Sequence, residues 1–343
     1  MLIHLSPVAE TELTLLIPQR AGFSTQHSLT TDPAAADLIL LVGSFGLAPH
    51  ALLDHPLYRA CPEKCAVYTE DDNYLPLAPG VYCSAHVDAH SRVGRTFSYS
   101  YLSRGGRYSN KFVTGSDASA GEPDAGSKKF LFSFQGGSTS LLRKKLFNLN
   151  FKRPSNSLGI LIENTSTYYH WDLERPGREE RQKHYATTIA ASHFALSPRG
   201  AGAGSIRLFE IMSAGIAPVL ISDDYLLPPH IDWETFLLRV PEGEIARLPE
   251  LIEPHLASAG ERGRLAREAW FRYFAPEKEF DAIISSCIAA LRHGPPAEAI
   301  FRRKQKELIG RANLRRKLRS LARNAFLKML KLLHLKNPYQ MNR

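Results

Sequence analysis

Glycines, hydroxyl groups and charged side chains gather in residues 197–210, which read Ser-Pro-Arg-Gly-Ala-Gly-Ala-Gly-Ser-Ile-Arg-Leu-Phe-Glu. Ser205 is a good N-cap for a helix, and Arg207 and Glu210 are three residues apart and would be neighbours near its start. Free backbone N–H groups and the helix dipole favour an anion at that position. A hydroxyl, a guanidinium and a helix start together suit a diphosphate, and Glu210 is left to accept hydrogen bonds from sugar hydroxyls.

Three glycines precede the predicted helix, at Gly200, Gly202 and Gly204. Because they have no Cβ, they would adopt positive φ and let the backbone approach a ligand closely. An ordinary strand-turn-helix connection also uses glycines for packing, so the loop alone leaves both interpretations open. We expect Arg199 and Gly200 to contact the ligand directly.

Two short apolar segments on either side place this loop in a parallel sheet. Phe194–Leu196 stops at Ser197 and Pro198, as a buried strand does when it enters a loop, and Ile216–Ile221 makes a second buried strand. Asp223 follows that second strand at its carboxyl end. Ligands bind at this end of the strands in open α/β sheets, so we expect Asp223 to face the same ligand.

A fainter version of the pattern occurs earlier in the chain. Phe130–Phe134 reads as a strand, residues 135–139 are Gln-Gly-Gly-Ser-Thr, and the helix that follows carries Arg143. Gly137, Ser138 and Arg143 are therefore candidates for a second contact with phosphate. A capped helix with a solvated basic face is the alternative interpretation.

The order of residues after 193 resembles the exostosin family of glycosyltransferases, family 47. Shared features are Pro-x-Gly at 198–200, Ser-x-Arg at 205–207, Glu210, Ala-Gly-x-x-Pro-Val at 214–219 and Ser-Asp at 222–223. The resemblance covers residues 193–252 and, with fewer matches, 130–147. It implies an α/β fold of the GT-B type, with two Rossmann-like lobes facing a cleft. It also implies inverting transfer from a nucleotide sugar, with a uridine nucleotide, held by the C-terminal lobe.

We therefore expect an acceptor-side lobe over residues 1–126, a nucleotide-sugar-binding lobe over 127–292 and a helical tail over 293–343. The expected activity is transfer to a glycan or glycolipid acceptor in cell-surface polysaccharide or glycoconjugate synthesis, with no metal and no cofactor besides the donor. A non-catalytic glycan-binding or assembly subunit that keeps the fold is the alternative. A metal-dependent transferase, with a divalent ion on the acidic residues 70–72, is a third possibility.

Inversion needs a base opposite the leaving diphosphate, which in two facing lobes comes from the first lobe. Asp71 and Asp72 follow the predicted strand Ala66–Thr69, and the neighbouring Glu70 would raise a carboxylate pKa by like-charge repulsion. We predict Asp71, narrowly ahead of Asp72, as the base. A solvated acidic turn is the competing interpretation.

The formal charge of +9 is concentrated at one end of the chain. Residues 297–343 contain fourteen Lys or Arg and two Glu, a net of +12, which leaves −3 for residues 1–296. A body of this charge argues against nucleic acid as a partner. Residues 297–335 read as a basic amphipathic helix, which suits an anionic membrane surface, although packing on the first lobe or pairing with a partner helix would use the same pattern. With no leader pattern and no long apolar run, we expect a cytoplasmic protein that associates peripherally with the inner membrane face.

Overall fold

The computed structural model describes residues 1–9, 11–46, 48–92, 94–106, 109–113, 128–152, 157–167 and 176–292, and from 293 onward only 306, 307, 310, 314, 317, 318, 321 and 325. Residues 1–294 form one compact unit and residues 295–343 another. The predicted lobe boundary near 127 lies outside the described residues.

The first lobe is built on a six-stranded sheet in which every pair of neighbours is parallel. The strand order is β2-β1-β3-β4-β5-β6. Its helices and strands are β1 (Leu2–Pro7), α1 (Leu13–Ala21), β2 (Ser28–Thr30), β3 (Leu38–Val42), α2 (Pro49–Leu53), α3 (Pro56–Ala60), β4 (Cys65–Thr69), β5 (Gly80–Tyr82), α4 (Ala89–Arg92) and β6 (Thr96–Phe97). Every residue of β3 and β4 is buried, as expected of central strands in a parallel sheet covered on both faces.

The second lobe has a five-stranded sheet, also parallel throughout, in the order β11-β10-β9-β7-β8. Its elements are β7 (Phe130–Gly136), α5 (Leu141–Phe147), β8 (Gly159–Asn164), α6 (Arg178–Ala190), β9 (Ser192–Pro198), α7 (Ile206–Ser213), β10 (Ala217–Ile221), β11 (Leu238–Arg239), α8 (Leu248–Ile252), α9 (Ala259–Tyr273) and α10 (Pro276–Arg292). The predicted fold class of two α/β lobes is confirmed.

Helix α10 packs against α1, β4 and β5, all of which belong to the first lobe. Glu279 on this helix is fully buried and accepts hydrogen bonds from Arg20 Nε at 2.6 Å and Arg104 Nη2 at 2.7 Å. Arg104 also donates to the carbonyl of Phe274, just before α10. These buried ion pairs fix α10 to helix α1 and to the segment after β6 in the first lobe.

Most of the predicted helix over residues 297–335 lies outside the described residues. The eight residues that are described there are all helical and exposed. They include Leu314, Leu318 and Leu321, which at this spacing share one helix face. The amphipathic helix stays a prediction.

Candidate active site

A cavity of about 480 Å³ lies where the carboxyl ends of strands from both sheets meet. The segment after β4 contributes Glu70 and Asp72, and the segments after β7 and β9 contribute Gly137 and Gly200. The start of α7 adds Ser205, Arg207 and Glu210, and α5 adds Arg143. Seven of the eleven residues predicted from the sequence as site residues thus line one cavity.

Arg207 and Glu210 are neighbours in the first turns of α7, as their spacing predicts. Arg207 Nη1 is 3.7 Å from Glu210 Oε2, and its guanidinium lies over the Tyr185 ring with Cζ 4.3 Å from the centroid. The Tyr185 hydroxyl donates to Glu210 Oε2 at 2.9 Å, and burial keeps the pKa of this phenol well above its ordinary value. The cation is therefore held on an aromatic face, and the carboxylate is oriented by a neutral donor.

Arg143 is nine-tenths buried, and backbone oxygens hold its guanidinium in place. Nη2 donates to the carbonyl of Pro198 at 2.9 Å, and Nε donates to the carbonyl of Arg199 at 3.2 Å. Burial, and then the like charge of Arg207, lower the Arg143 pKa to about 9. Because each cation disfavours the other, an anion bound beside both would relieve their repulsion.

Ser205 occupies the N-cap position of α7, but its side chain makes no capping hydrogen bond. The residue is 5 % exposed, and its Oγ has no hydrogen-bond partner among the described residues. Gln135 Oε1 is also buried without a partner in that part of the chain, while its Nε2 donates to Glu163. Buried polar atoms without partners are costly, and a bound ligand would satisfy both.

The glycine loop has a different function from the one expected. Gly200, Gly202 and Gly204 are not among the residues with positive φ, so that expectation is wrong. A Cβ on Gly202 would lie 2.4 Å from Ser84 Oγ, and one on Gly204 would lie 2.5 Å from the carbonyl oxygen of Cys83. These two glycines let the loop approach the first lobe closely. Gly200 faces the cavity beside Arg143.

Three residues predicted to hold the nucleotide do not line this cavity. Arg199 forms a bidentate pair with Glu242, with Nε to Oε1 at 2.6 Å, and Asp223 Oδ1 accepts from the Glu242 N–H. Ser138 donates its N–H to Ser166 Oγ, and the N-cap of α5 is Ser140 instead. The Glu242 pairing explains why Arg199 and Asp223 turn away from the ligand side.

The two predicted bases are placed differently from each other. Asp71 Oδ2 accepts from the N–H groups of Phe45 and Gly46, both at 2.8 Å, and Ser44 Oγ donates to Oδ1. Asp71 therefore fixes the loop after β3 and does not line the cavity. Asp72 does line it. Burial raises the Asp72 pKa. The N–H of Gly202 and the charge of Arg143 lower it, but the effect of burial is larger. The geometry reverses the order in which the sequence ranked these two carboxylates.

Glu70 is the residue that sequence reasoning did not select as a base. It follows β4 directly and lines the cavity, and its Oε1 accepts from the Tyr68 hydroxyl at 2.9 Å and from the Ser103 N–H at 3.1 Å. Burial raises the pKa of this carboxyl. Its position as the first residue after a buried strand was the available signal.

No group of three or more His, Cys, Asp or Glu side chains among the described residues could hold a metal ion. None of the helices in the described part of the chain is long and apolar enough to cross a membrane.

Comparison with known proteins points to one family. Residues 113–254 match the family model of the Exostosin GT47 domain. The chain is 29 % identical to Exostosin-1 of Drosophila melanogaster over 164 residues, which are 43 % of this chain and 21 % of that protein. It is 31 % identical to the Exostosin-1 homolog of Caenorhabditis elegans over 139 residues, 36 % of this chain and 35 % of that protein. The matched regions thus span about a third or less of these curated relatives.

A solved structure, Anabaena HepE in complex with UDP, is similar over 84 % of this chain and 99 % of its own. The TM-score is 0.36 and the sequence identity 11 %.

Proposed function

We propose that this chain, whose residues 113–254 match the model of the Exostosin GT47 domain, is an inverting glycosyltransferase that transfers a sugar from a nucleotide diphosphate sugar to a glycan acceptor. The observation that supports this most is the pair of arginines, Arg143 and Arg207, in one cavity with Ser205, whose hydroxyl has no hydrogen-bond partner among the described residues. The resemblance to the family implies a uridine nucleotide.

In this proposal the two guanidinium groups bind the diphosphate and stabilise the charge that develops on it as the glycosidic bond breaks. Fixed cations and hydrogen-bond donors in a cavity provide such stabilisation without reorganising during the reaction, so no metal is invoked. Ser205 donates to a phosphate oxygen. Glu210, oriented by Tyr185, accepts from ribose or sugar hydroxyls.

The acceptor enters from the side of the first lobe, whose Tyr101, Ser103 and Asn110 complete the cavity wall. Hydroxyl and amide groups of this kind suit a carbohydrate. Glu70 and Asp72 are the first-lobe carboxylates in the wall, so the acceptor's proton goes to one of them. We further propose a glycan or glycolipid acceptor and attachment of residues 297–335 to an anionic membrane surface, which the net charge of +12 on residues 297–343 supports.

A thermal-unfolding panel with UDP, GDP, CDP, dTDP and uridine tests the donor class. A ligand that binds only the folded chain stabilises it by mass action, about 2.7 kcal/mol at a hundred times its Kd. We expect UDP to raise the melting temperature most and uridine to raise it far less, because uridine has no phosphate for the arginines. If none of the four diphosphates raises the melting temperature, the proposal is wrong.

A further inference from the structure

Glu279 and Glu70 of the described residues sit in different surroundings. Glu279 is paired with two arginines at 2.6 and 2.7 Å, the arrangement of a structural ion pair. Glu70 is partly buried, and its hydrogen-bond partners among the described residues, the Tyr68 hydroxyl and the Ser103 N–H, are neutral. Desolvation raises the pKa of this carboxyl, and the residue lines the cavity.

Asp72, the other first-lobe carboxylate in the wall, lies on the side where the diphosphate is expected. The N–H of Gly202 and the charge of Arg143 are close enough to lower its pKa, and Asp72 in turn acts on the pKa of the Arg143 guanidinium. A base in a direct displacement must lie on the opposite side of the anomeric carbon from the leaving group. Glu70 is next to Ser103, on the wall of the first lobe where the acceptor enters.

We propose that Glu70 is the catalytic base of the transfer reaction, an assignment that rests on the proposed function. The Glu70 carboxylate takes the proton of the acceptor hydroxyl while that oxygen forms its bond to the anomeric carbon. The bond from this carbon to the diphosphate oxygen breaks, and its electron pair leaves with the nucleotide diphosphate. Tyr68 is a positioning residue, since its hydroxyl holds Glu70 Oε1.

The surroundings of Glu70 determine how the rate decreases at low pH, in the acid limb of the pH–rate profile. Burial raises its pKa above the ordinary value for glutamate, and the base works only when ionised, so the rate rises with pH through that raised pKa. The nearby titratable groups, Tyr68 and Cys83, have pKa values raised well above their ordinary values and stay neutral. Asp72 lies on the same wall, and the charged groups across the cavity are Arg143, Arg178, Arg181, Arg207 and Glu210.

The test uses the full chain and water as the acceptor. UDP release is measured from UDP-glucose, UDP-galactose, UDP-N-acetylglucosamine and UDP-glucuronate between pH 4 and 9, and UDP binding is measured by calorimetry. We expect Glu70→Gln to bind UDP as the parent does and to release it at least about a hundredfold more slowly, without the acid limb. Glu70→Asp keeps the limb at a reduced rate. Glu63→Gln, which removes an exposed carboxylate of the same lobe, changes neither measurement.

The outcomes separate the two proposals. If the parent does not bind UDP, the donor assignment fails before any rate is compared. If the parent binds UDP, and Glu70→Gln keeps both the rate of UDP release and its decrease at low pH, Glu70 is not the base. If Asp72→Asn then loses the rate and this pH dependence, the base is Asp72. Glu70→Gln is expected to fold, because the amide oxygen of Gln can still accept hydrogen bonds from Tyr68 and Ser103. Glu70→Asp, which retains the carboxylate, gives a second measurement if the Gln variant does not fold.

Discussion

Replacing Arg207 with alanine tests whether this arginine binds phosphate or only packs at the start of helix α7. The guanidinium lies over the rings of Tyr185 and Phe134 and is 18 % exposed, so it is already ordered before a ligand arrives. A charge-assisted hydrogen bond to phosphate contributes about 1.5–3 kcal/mol. Glu210 lies 3.7 Å from Nη1 and neutralises part of the charge, which favours the lower part of that range.

We therefore expect Arg207→Ala to weaken UDP binding by about 1.5–2 kcal/mol, or roughly 10- to 30-fold in Kd. Arg143 remains in the variant, and because the charge of Arg207 lowers its pKa, Arg143 holds its proton more firmly once Arg207 is gone. Affinity for uridine should be unchanged. Calorimetric titration of parent and variant with UDP and with uridine measures both quantities.

Arg199→Ala is the matched control, because Arg199 is an arginine of the same region whose side chain pairs with Glu242 outside the cavity. It should leave the affinity for UDP unchanged. The reasoning is refuted if folded Arg207→Ala binds UDP as tightly as the parent, or if Arg199→Ala loses as much affinity as Arg207→Ala.

Three further predictions concern the fold and the tail. Gly204→Ala places a Cβ 2.5 Å from the carbonyl oxygen of Cys83, so we expect it to lower the free energy of unfolding, measured in urea, by about 1–3 kcal/mol. Gly260→Ala is the control, because no atom lies within 4 Å of a Cβ at that position, and it should not destabilise the chain. Glu279→Gln removes the carboxylate between two buried arginines, and we expect it to lower the free energy of unfolding by about 3–5 kcal/mol in the same assay. A decrease of less than about 1 kcal/mol would contradict the buried pairing. Truncation after Pro296 should abolish sedimentation with anionic vesicles and preserve UDP binding, because residues 1–296 carry a net charge of −3. Vesicle binding by the truncated chain would contradict the proposed attachment through residues 297–335.

Strands of both sheets and the proximity of Arg207 and Glu210 could be predicted from the sequence because their signals are local. The apolar runs of β3, β9 and β10 are short and bounded by turn residues, and each is a strand in the structure. Arg207 and Glu210 are neighbours because helix geometry brings residues three apart together. Such relations depend only on spacing along the chain.

The misplaced residues depend on contacts between distant parts of the chain. Asp71 is bound by N–H groups about 25 positions earlier, and Arg199 pairs with a glutamate 43 positions later. Asp71 and Asp72 are adjacent and chemically identical, so local sequence cannot say which of them turns into the cavity. Glu70 was interpreted as a neighbouring charge or as part of a divalent-ion site, because local sequence does not show its hydrogen bonds from the Tyr68 hydroxyl and from the N–H of Ser103, 33 residues away.

The glycine loop links the two halves of the proposed reaction. Gly200 faces Arg143 on the proposed donor side, while Gly202 lies against Ser84 and Asp72, and Gly204 packs against Cys83 and Tyr101 of the first lobe. The Ser222 hydroxyl donates to the carbonyl of Ala203 and holds the loop from the other side. Close packing of this loop on the first lobe thus contributes to the separation between the proposed diphosphate site and the carboxylates of the first lobe. A base within about 3 Å of the acceptor hydroxyl needs a fixed separation, because small displacements at a reacting centre cost large factors in rate. We therefore expect Gly202 and Gly204 to be required for positioning across the cleft, since a Cβ at either would meet atoms of the first lobe.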